Sequence, residues 1–402
     1  MERTGPILVA VDGRASPVPP DDVRRLAGSL RLRFPGRDAV VLVAGWGGAG
    51  IALRAPETAG DAPPPGHPPP PPLTGGGIPG PESTMGALLR EMDRRGAAAA
   101  AMLSGDVHDA TQDWLGALLA PLLDEGFDYA CPAYLRHKAE ATLNTGVVYP
   151  FTRALYGWRL RQPLGGEAAL SLPLARKLLS DPDWRRDPAQ AGSDAWVVAK
   201  VLTGDARACQ SWLGAWPGAS GGPREDASLA LGRVLGLVFR EAERHAERWQ
   251  RVEGSRPVVT FGAPGALDGE VPRVSVDRLV ATFQLGQREL GAVWGLVLPP
   301  ASLLALSRAA AMPAASFRLD DGLWARVVYD FAVAHYTRVV ERRQLLLSMT
   351  PLYLGWVASF LNEAGPLGAG AAEERVEALC AAFEREKRYL ISRWRWPDTF
   401  NP

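Results

Sequence analysis

Through the first half of the chain, short apolar runs alternate with amphipathic segments, the pattern of an α/β sheet with helices on its faces. Pro6 to Gly13 (PILVAVDG) predicts a first strand, Asp21 to Leu32 a helix opened by acids, and Ala39 to Gly45 a second strand. That order begins a Rossmann-like layer. A helix follows from about Ser83 to Arg95, then an apolar strand in AAAAAMLSGD that stops at Ser104 to Asp106, where open α/β sheets hold their ligands. A helix over Thr111 to Glu125 and a strand over Asp128 to Pro132 come next. Beyond about residue 225 the apolar positions recur at helical spacing, first at Leu231, Val234, Leu235 and Val238, later at Val376, Leu379, Cys380 and Phe383. Val276 to Trp294 and Gly322 to Met349 read the same way, and no internal repeat signals a solenoid. The texture changes near Gly221 to Glu225, so the expected division is an α/β domain over 1–224 and a mostly α-helical lobe over 225–402. Residues 63–72 contain eight prolines, which with Gly75 to Gly77 predict an extended surface loop over about 62–81.

Length fits two lobes, since 402 residues exceed one typical domain. Charge removes some partners: 44 Lys plus Arg balance 44 Asp plus Glu, so no global field draws the chain to nucleic acid or an anionic bilayer. Cys131, Cys209 and Cys380 have no CxxC spacing, which argues against a disulfide framework or thiolate zinc site and suits a reducing, cytoplasmic compartment. The apolar run Ile7 to Val11 is too short for a secretory signal, and Pro299 and Pro300 interrupt the most apolar later stretch, so no membrane span is expected. Most of the thirteen tryptophans are expected to pack in cores or interfaces.

The candidate chemistry lies at the ends of the predicted strands and in the segment Arg136 to Glu167. Arg136, His137 and Lys138 are consecutive bases after a strand, suited to a small anion whose carboxylate an Arg binds bidentately; a solvated turn reads equally well. Gly165 and Gly166 permit close backbone approach to a ligand or simply make a tight turn, and Glu167 can accept hydrogen bonds from hydroxyls. Asp106, His108 and Asp109 leave the third predicted strand together and offer mixed oxygen and imidazole ligation, moderately suited to Mg or Mn, although such clusters also serve as solvated caps. Asp330 and His335 share one predicted helix but stand five residues apart, which places a core or interface role ahead of catalysis.

Several segments together resemble the glucosylglycerate and mannosylglycerate synthases, bacterial nucleotide-sugar enzymes of the glycosyltransferase A fold. They are RHKAEATLN (Arg136 to Asn144), YP, RALYG (Arg153 to Gly157), RQPLGGE (Arg161 to Glu167), SLPLARKLL and GSDAW (Gly192 to Trp196), in the family's order and spacing. LWARVVYDFAVAHY, SMTPLYLGWVASF and YLISRW continue the resemblance through the helical lobe. It covers residues 84 to 396 well and the first eighty in element order.

The resemblance implies an α/β, Rossmann-like nucleotide-diphospho-sugar transferase domain that moves a hexose to a small acidic acceptor such as glycerate with anomeric retention. It implies Asp194 and Glu167 as the residues orienting donor and acceptor. Arg136, His137, Lys138, Thr142 and Asn144 would form the acceptor site, and Gly47, Gly48, Gly80, Asp106, Gly165 and Gly166 the donor site. A divalent cation, Mg or Mn, would sit on Asp106 with His108, and association through the helical lobe is expected.

The donor side departs from the family. Its Asp-x-Asp pair reads Ser104-x-Asp106, its metal-site His aligns with Gly218, and its Asn-Ser-Asp-Gly-Gly segment is Ala44 to Gly48 with Trp46 at the acid. Its GIPGKG loop is GIPGPE, so Pro81 replaces the diphosphate lysine, and Glu82 repels a diphosphate unless it caps the next helix. In the acceptor loop, Ala139 and Ala141 replace the family's Tyr and Gly. These losses keep a second reading open, a catalytically silent scaffold that binds a sugar, nucleotide or protein. A third is a metal-independent transferase using cations such as Arg14 or Arg54.

Overall fold

The computed structural model describes residues 5–12, 18–47, 50–54, 84–103, 112–135, 143–186, 193–215, 227–264 and 274–397. Ten strands are described: β1 (Ile7–Asp12), β2 (Ala39–Gly47), β3 (Gly50–Arg54), β4 (Ala99–Leu103), β5 (Tyr129–Leu135), β6 (Trp158–Arg159), β7 (Ala168–Ser171), β8 (Ala208–Ala215), β9 (Arg256–Pro257) and β10 (Val259–Phe261). Eight form one sheet in the order β10-β8-β5-β7-β4-β1-β2-β3. β1, β2, β4, β5, β8 and β10 run parallel, and β3 and β7 are antiparallel. The fold is therefore Rossmann-like α/β with a mostly parallel sheet.

The central strands are apolar along their whole length because both faces are covered, as parallel sheets require. Ile7 to Val11 and Ala99 to Ala101 are fully buried. On one face Val23, Leu26 and Leu30 of the helix Pro20–Arg33 and Leu115, Leu118, Leu119 and Leu122 of the helix Gln112–Leu123 pack with Val9, Val11 and Ala101. The alanines of β4 cover little area individually. Their small volume lets these leucines approach the sheet closely.

The chain forms two compact units. One comprises residues 1–135, 161–221 and 258–266; the other comprises 136–160, 222–257 and 267–402. The division at 221/222 falls where the sequence texture changes, but the units are not the linear 1–224 and 225–402. Residues 136–160 belong to the helical unit, and the chain returns to the sheet at β10. The physical reason for the first exchange is the segment Asn144–Tyr156, a π turn continuing into a helix, whose contacts lie in the helical unit. A Cβ on Gly146 would penetrate the Trp356 ring, and Trp324 Nε1 donates to the Gly146 carbonyl at 2.8 Å. Arg153, 3% exposed, donates from Nη1 to Glu377 at 2.6 Å and from Nε to Glu384 at 2.9 Å on the helix Ala369–Arg395. RALYG thus serves packing: its Arg anchors a helix, and Gly157 ends one at φ 74°.

The remainder of the helical unit follows the apolar periodicity. Val276–Glu289 and Gly291–Val297 replace the single helix expected over 276–294, and Asp321–Thr337 is separated from Arg342–Ser348 by Arg338 at φ 59°. Asp330 and His335 lie inside the core: Asp330 is fully buried against Arg393 and Tyr389, and His335 is 1% exposed with its ring edge-on to Phe239. Helices end and restart around Pro299 and Pro300. Among the described residues one stretch, Arg342–Ala364, is long and apolar enough to cross a membrane, and 67% of its apolar window is buried inside the protein, as in a core helix. There is thus no clear membrane span among the described residues. The three cysteines are buried and none is in a disulfide.

Candidate functional site

In the sheet unit the parallel strands finish on one edge, with β1 ending at Asp12, β2 at Gly47, β4 at Leu103, β5 at Leu135 and β8 at Ala215. β1 is flanked by β2 on one side and β4 on the other, so the order reverses there, the position at which doubly wound sheets open a ligand crevice beyond the carboxyl ends. The motif residues follow these ends in sequence. Asp106 and His108 come after β4, Arg136, His137, Lys138 and Thr142 after β5, and Gly218 after β8. These residues, with Gly48, Gly80, Pro81, Glu82, Ser104, Asp109 and Arg14, lie outside the described residues. Gly47 closes β2, and the side chains of Trp46 and Arg54 are likewise outside them.

The antiparallel strand β7 carries the Gly-Gly-acid turn to this edge. Ala168 pairs with Met102 and Ser171 with Ala99, so the residues preceding Ala168 sit beside the carboxyl end of β4. Both glycines are required. A Cβ at Gly165 would enter the Pro132 ring, and Gly166 has φ 89°, which side chains strongly disfavour.

Glu167 then points inward. It is 4% exposed, and its Oε2 accepts a hydrogen bond of 2.8 Å from Tyr134 Oη on β5. Gln162 Nε2 donates to the Tyr134 carbonyl at 3.0 Å, tying the start of RQPLGGE to the same strand. Gln162 Oε1 is buried without a hydrogen-bond partner among the described residues.

Asp194 approaches from the other direction. It is the first residue of the helix Asp194–Thr203, whose N-cap Ser193 accepts from the Trp196 amide at 3.3 Å. The positive end of the helix favours a carboxylate there. Asp194, Glu167, Gly165 and Gly166 line one small cavity with Met102 and Tyr129. Burial, then the neighbouring Cys131 and Asp194, push the Tyr129 phenol well above its ordinary range, so it is neutral and available as a donor. The described walls leave room for a water-sized group.

The sequence-predicted residues therefore separate into groups. Glu167, Asp194, Gly165 and Gly166 come together in the sheet unit, whereas Asn144 opens the π turn of the helical unit. Sequence reasoning did not find Tyr134, Gln162 or Tyr129, which surround the acid. The signal for Gln162 was present in RQPLGGE, but Tyr134 lies 33 residues from Glu167 and only strand pairing unites them. Among the described residues no group of three or more His, Cys, Asp or Glu side chains is placed to hold a metal.

No family model matches the chain, and no curated protein matches it.

Proposed function

We propose that the protein is a glycosyltransferase that moves a hexose from a nucleotide-diphospho-sugar to a small acidic acceptor such as glycerate, with retention, in a reducing cytoplasm. The observation that carries this reading is the convergence of Glu167 and Asp194 on one cavity with the Gly165-Gly166 turn, at the carboxyl edge beside β4. Two acids from different elements, one buried and one at a helix N-terminus, can accept from a hydroxyl group of a bound sugar that enters the cavity. The preceding turn can bring backbone amides close to a ligand. Arg136 and Lys138 would hold the acceptor carboxylate. The leaving diphosphate oxygen would help deprotonate the acceptor hydroxyl at an oxocarbenium-like transition state. A divalent cation, when bound, would neutralise that diphosphate, and Asp106 with His108 are the residues proposed to hold it.

A second reading, a silent scaffold that binds a sugar, nucleotide or protein, draws support from the same acid. Glu167 is nearly inaccessible and engaged by Tyr134, as a structural carboxylate is. Calorimetric titration of UDP and GDP, each with and without Mn, tests the donor site. Transferase function predicts saturable binding of one nucleotide, strengthened by Mn if Asp106 and its neighbours hold the cation. Binding that ignores Mn directs attention to cationic side chains instead, and no binding of either nucleotide removes the donor-site assignment.

A further inference from the structure

The cavity beside the Gly165-Gly166 turn is graded in burial. Gly165, Gly166 and Asp194 are half-buried, whereas Glu167, Met102 and Tyr129 are buried, so the cavity leads from the surface of the sheet unit inward to its strands. Its volume is about 10 Å³, the space of one water molecule or one hydroxyl group. Met85 and Val197 make apolar walls, and among the described residues its polar side chains are those of Glu167, Asp194 and Tyr129.

Two of these are acceptors. Glu167 already accepts from Tyr134 Oη at 2.8 Å, but a carboxylate has about four lone-pair positions and can take a further donor. Tyr129 is the donor. It opens β5, paired with Leu170 of β7 and with Ala208 of β8, and is 2% exposed. Its backbone carbonyl accepts from Cys209 Sγ at 3.5 Å, whereas its Oη has no hydrogen-bond partner among the described residues. Tyr134, Tyr329 and Tyr389 differ in this respect, since each places its hydroxyl on a carboxylate or a carbonyl. Burial first, then Cys131 and Asp194, keep the Tyr129 phenol neutral, with a proton to give. A buried hydroxyl left unpaired is destabilising, so its place in one cavity with two acceptors suits a ligand group that supplies the missing partner.

We propose that this cavity takes a single hydroxyl group of the bound hexose and that Tyr129 is the residue that recognises it, an inference that rests on the hexose-transfer reading above. That hydroxyl accepts from Tyr129 Oη and donates to Glu167 or Asp194. A hydrogen in its place leaves Tyr129 unpaired, and a substituent larger than hydroxyl does not enter.

The test titrates the full chain and Tyr129→Phe with UDP-glucose, GDP-glucose and GDP-mannose, and with singly deoxygenated forms of whichever donor binds, while product formation with glycerate is followed in parallel. Tyr129→Phe binds that donor about tenfold more weakly, the size expected for one hydrogen bond in a closed site. Its heat-unfolding midpoint equals or exceeds that of the parent, because no protein group loses a bond. One deoxygenated form binds the parent about tenfold more weakly and shows no further loss in Tyr129→Phe. Unchanged donor affinity in Tyr129→Phe, a lowered midpoint, or equal deoxygenation losses in parent and variant overturns the subsite, and product formation by the parent then leaves the transfer reading standing. The predicted losses in binding without any product uphold the subsite and remove the transfer reading, and failure of every donor to bind removes both.

Discussion

Glu167→Gln lowers hexose transfer at least about a hundredfold while leaving the heat-unfolding midpoint close to that of the parent protein. The amide has the shape of the carboxylate and retains an oxygen to accept from Tyr134 Oη, now 2.8 Å from Glu167, so the local packing survives. What disappears is the negative charge in a site shielded from water, which in the proposed reaction would orient hydroxyl donors and stabilise developing positive charge on the sugar ring. The predicted separation of activity from stability distinguishes this role from a structural one. If Glu167 only ties β7 to β5, the variant keeps the hydrogen bond from Tyr134 and transfers at the parent rate. Asp194→Asn provides the companion measurement, because Ser193 rather than Asp194 is the N-cap side chain of that helix.

Asp330→Ala destabilises the helical unit by about 3–5 kcal/mol, read from urea unfolding. Asp330 is fully buried, and Arg393 is 4% exposed. Asp330 Oδ1 accepts from Arg393 Nε at 3.0 Å, and Tyr389 Oη lies 2.8 Å from each carboxylate oxygen. Burial pushes the Asp330 carboxyl up to about 6, although the hydrogen bonds from Tyr389 and Arg393 work against it. The pair therefore contributes little beyond its own desolvation. Breaking it is costly because it takes a buried carboxylate away from a guanidinium that remains in the core, where its Nη1 donates to the Pro397 carbonyl at 3.0 Å. The double variant Asp330→Leu with Arg393→Met accordingly recovers much of the loss, since an apolar pair of similar volume needs no compensation. A single-variant cost below about 1 kcal/mol contradicts the buried geometry.

Local pattern carried most of the elements. Ile7 to Val11 and Ala99 to Leu103 are continuous apolar runs because both faces of the sheet are covered, and the helix Gln112–Leu123 was legible from its leucines. β7 was not. Ala168–Ser171 is four residues long and acquires strand form from pairing on both sides, with β4 and β5, which no local period records. β10, three residues long, is shorter still and returns to the sheet after a long excursion through the helical unit. The break at Arg338 was hidden because both flanking segments keep helical periodicity while one residue adopts left-handed backbone.

The candidate site shows the same division. Glu167 and Asp194 could be selected from motif order, and the structure brings them to one cavity. The burial of Glu167 could not be selected, since it depends on Tyr134 and on the Gly165–Pro132 contact across the sheet. RALYG resembled the family as strongly as RQPLGGE did, but Arg153 is spent on Glu377 and Glu384. Resemblance in sequence marked packing residues and candidate site residues alike, and only side-chain surroundings separate them.

The most direct measurement is product formation from UDP-glucose, GDP-glucose and GDP-mannose with glycerate, with and without Mn, using the full chain and Glu167→Gln. A glycosylated acid that retains anomeric configuration, made by the parent and lost in the variant, is the result the transferase reading predicts. Nucleotide binding in the companion titrations with no product from any donor contradicts it and assigns the chain to the silent scaffold.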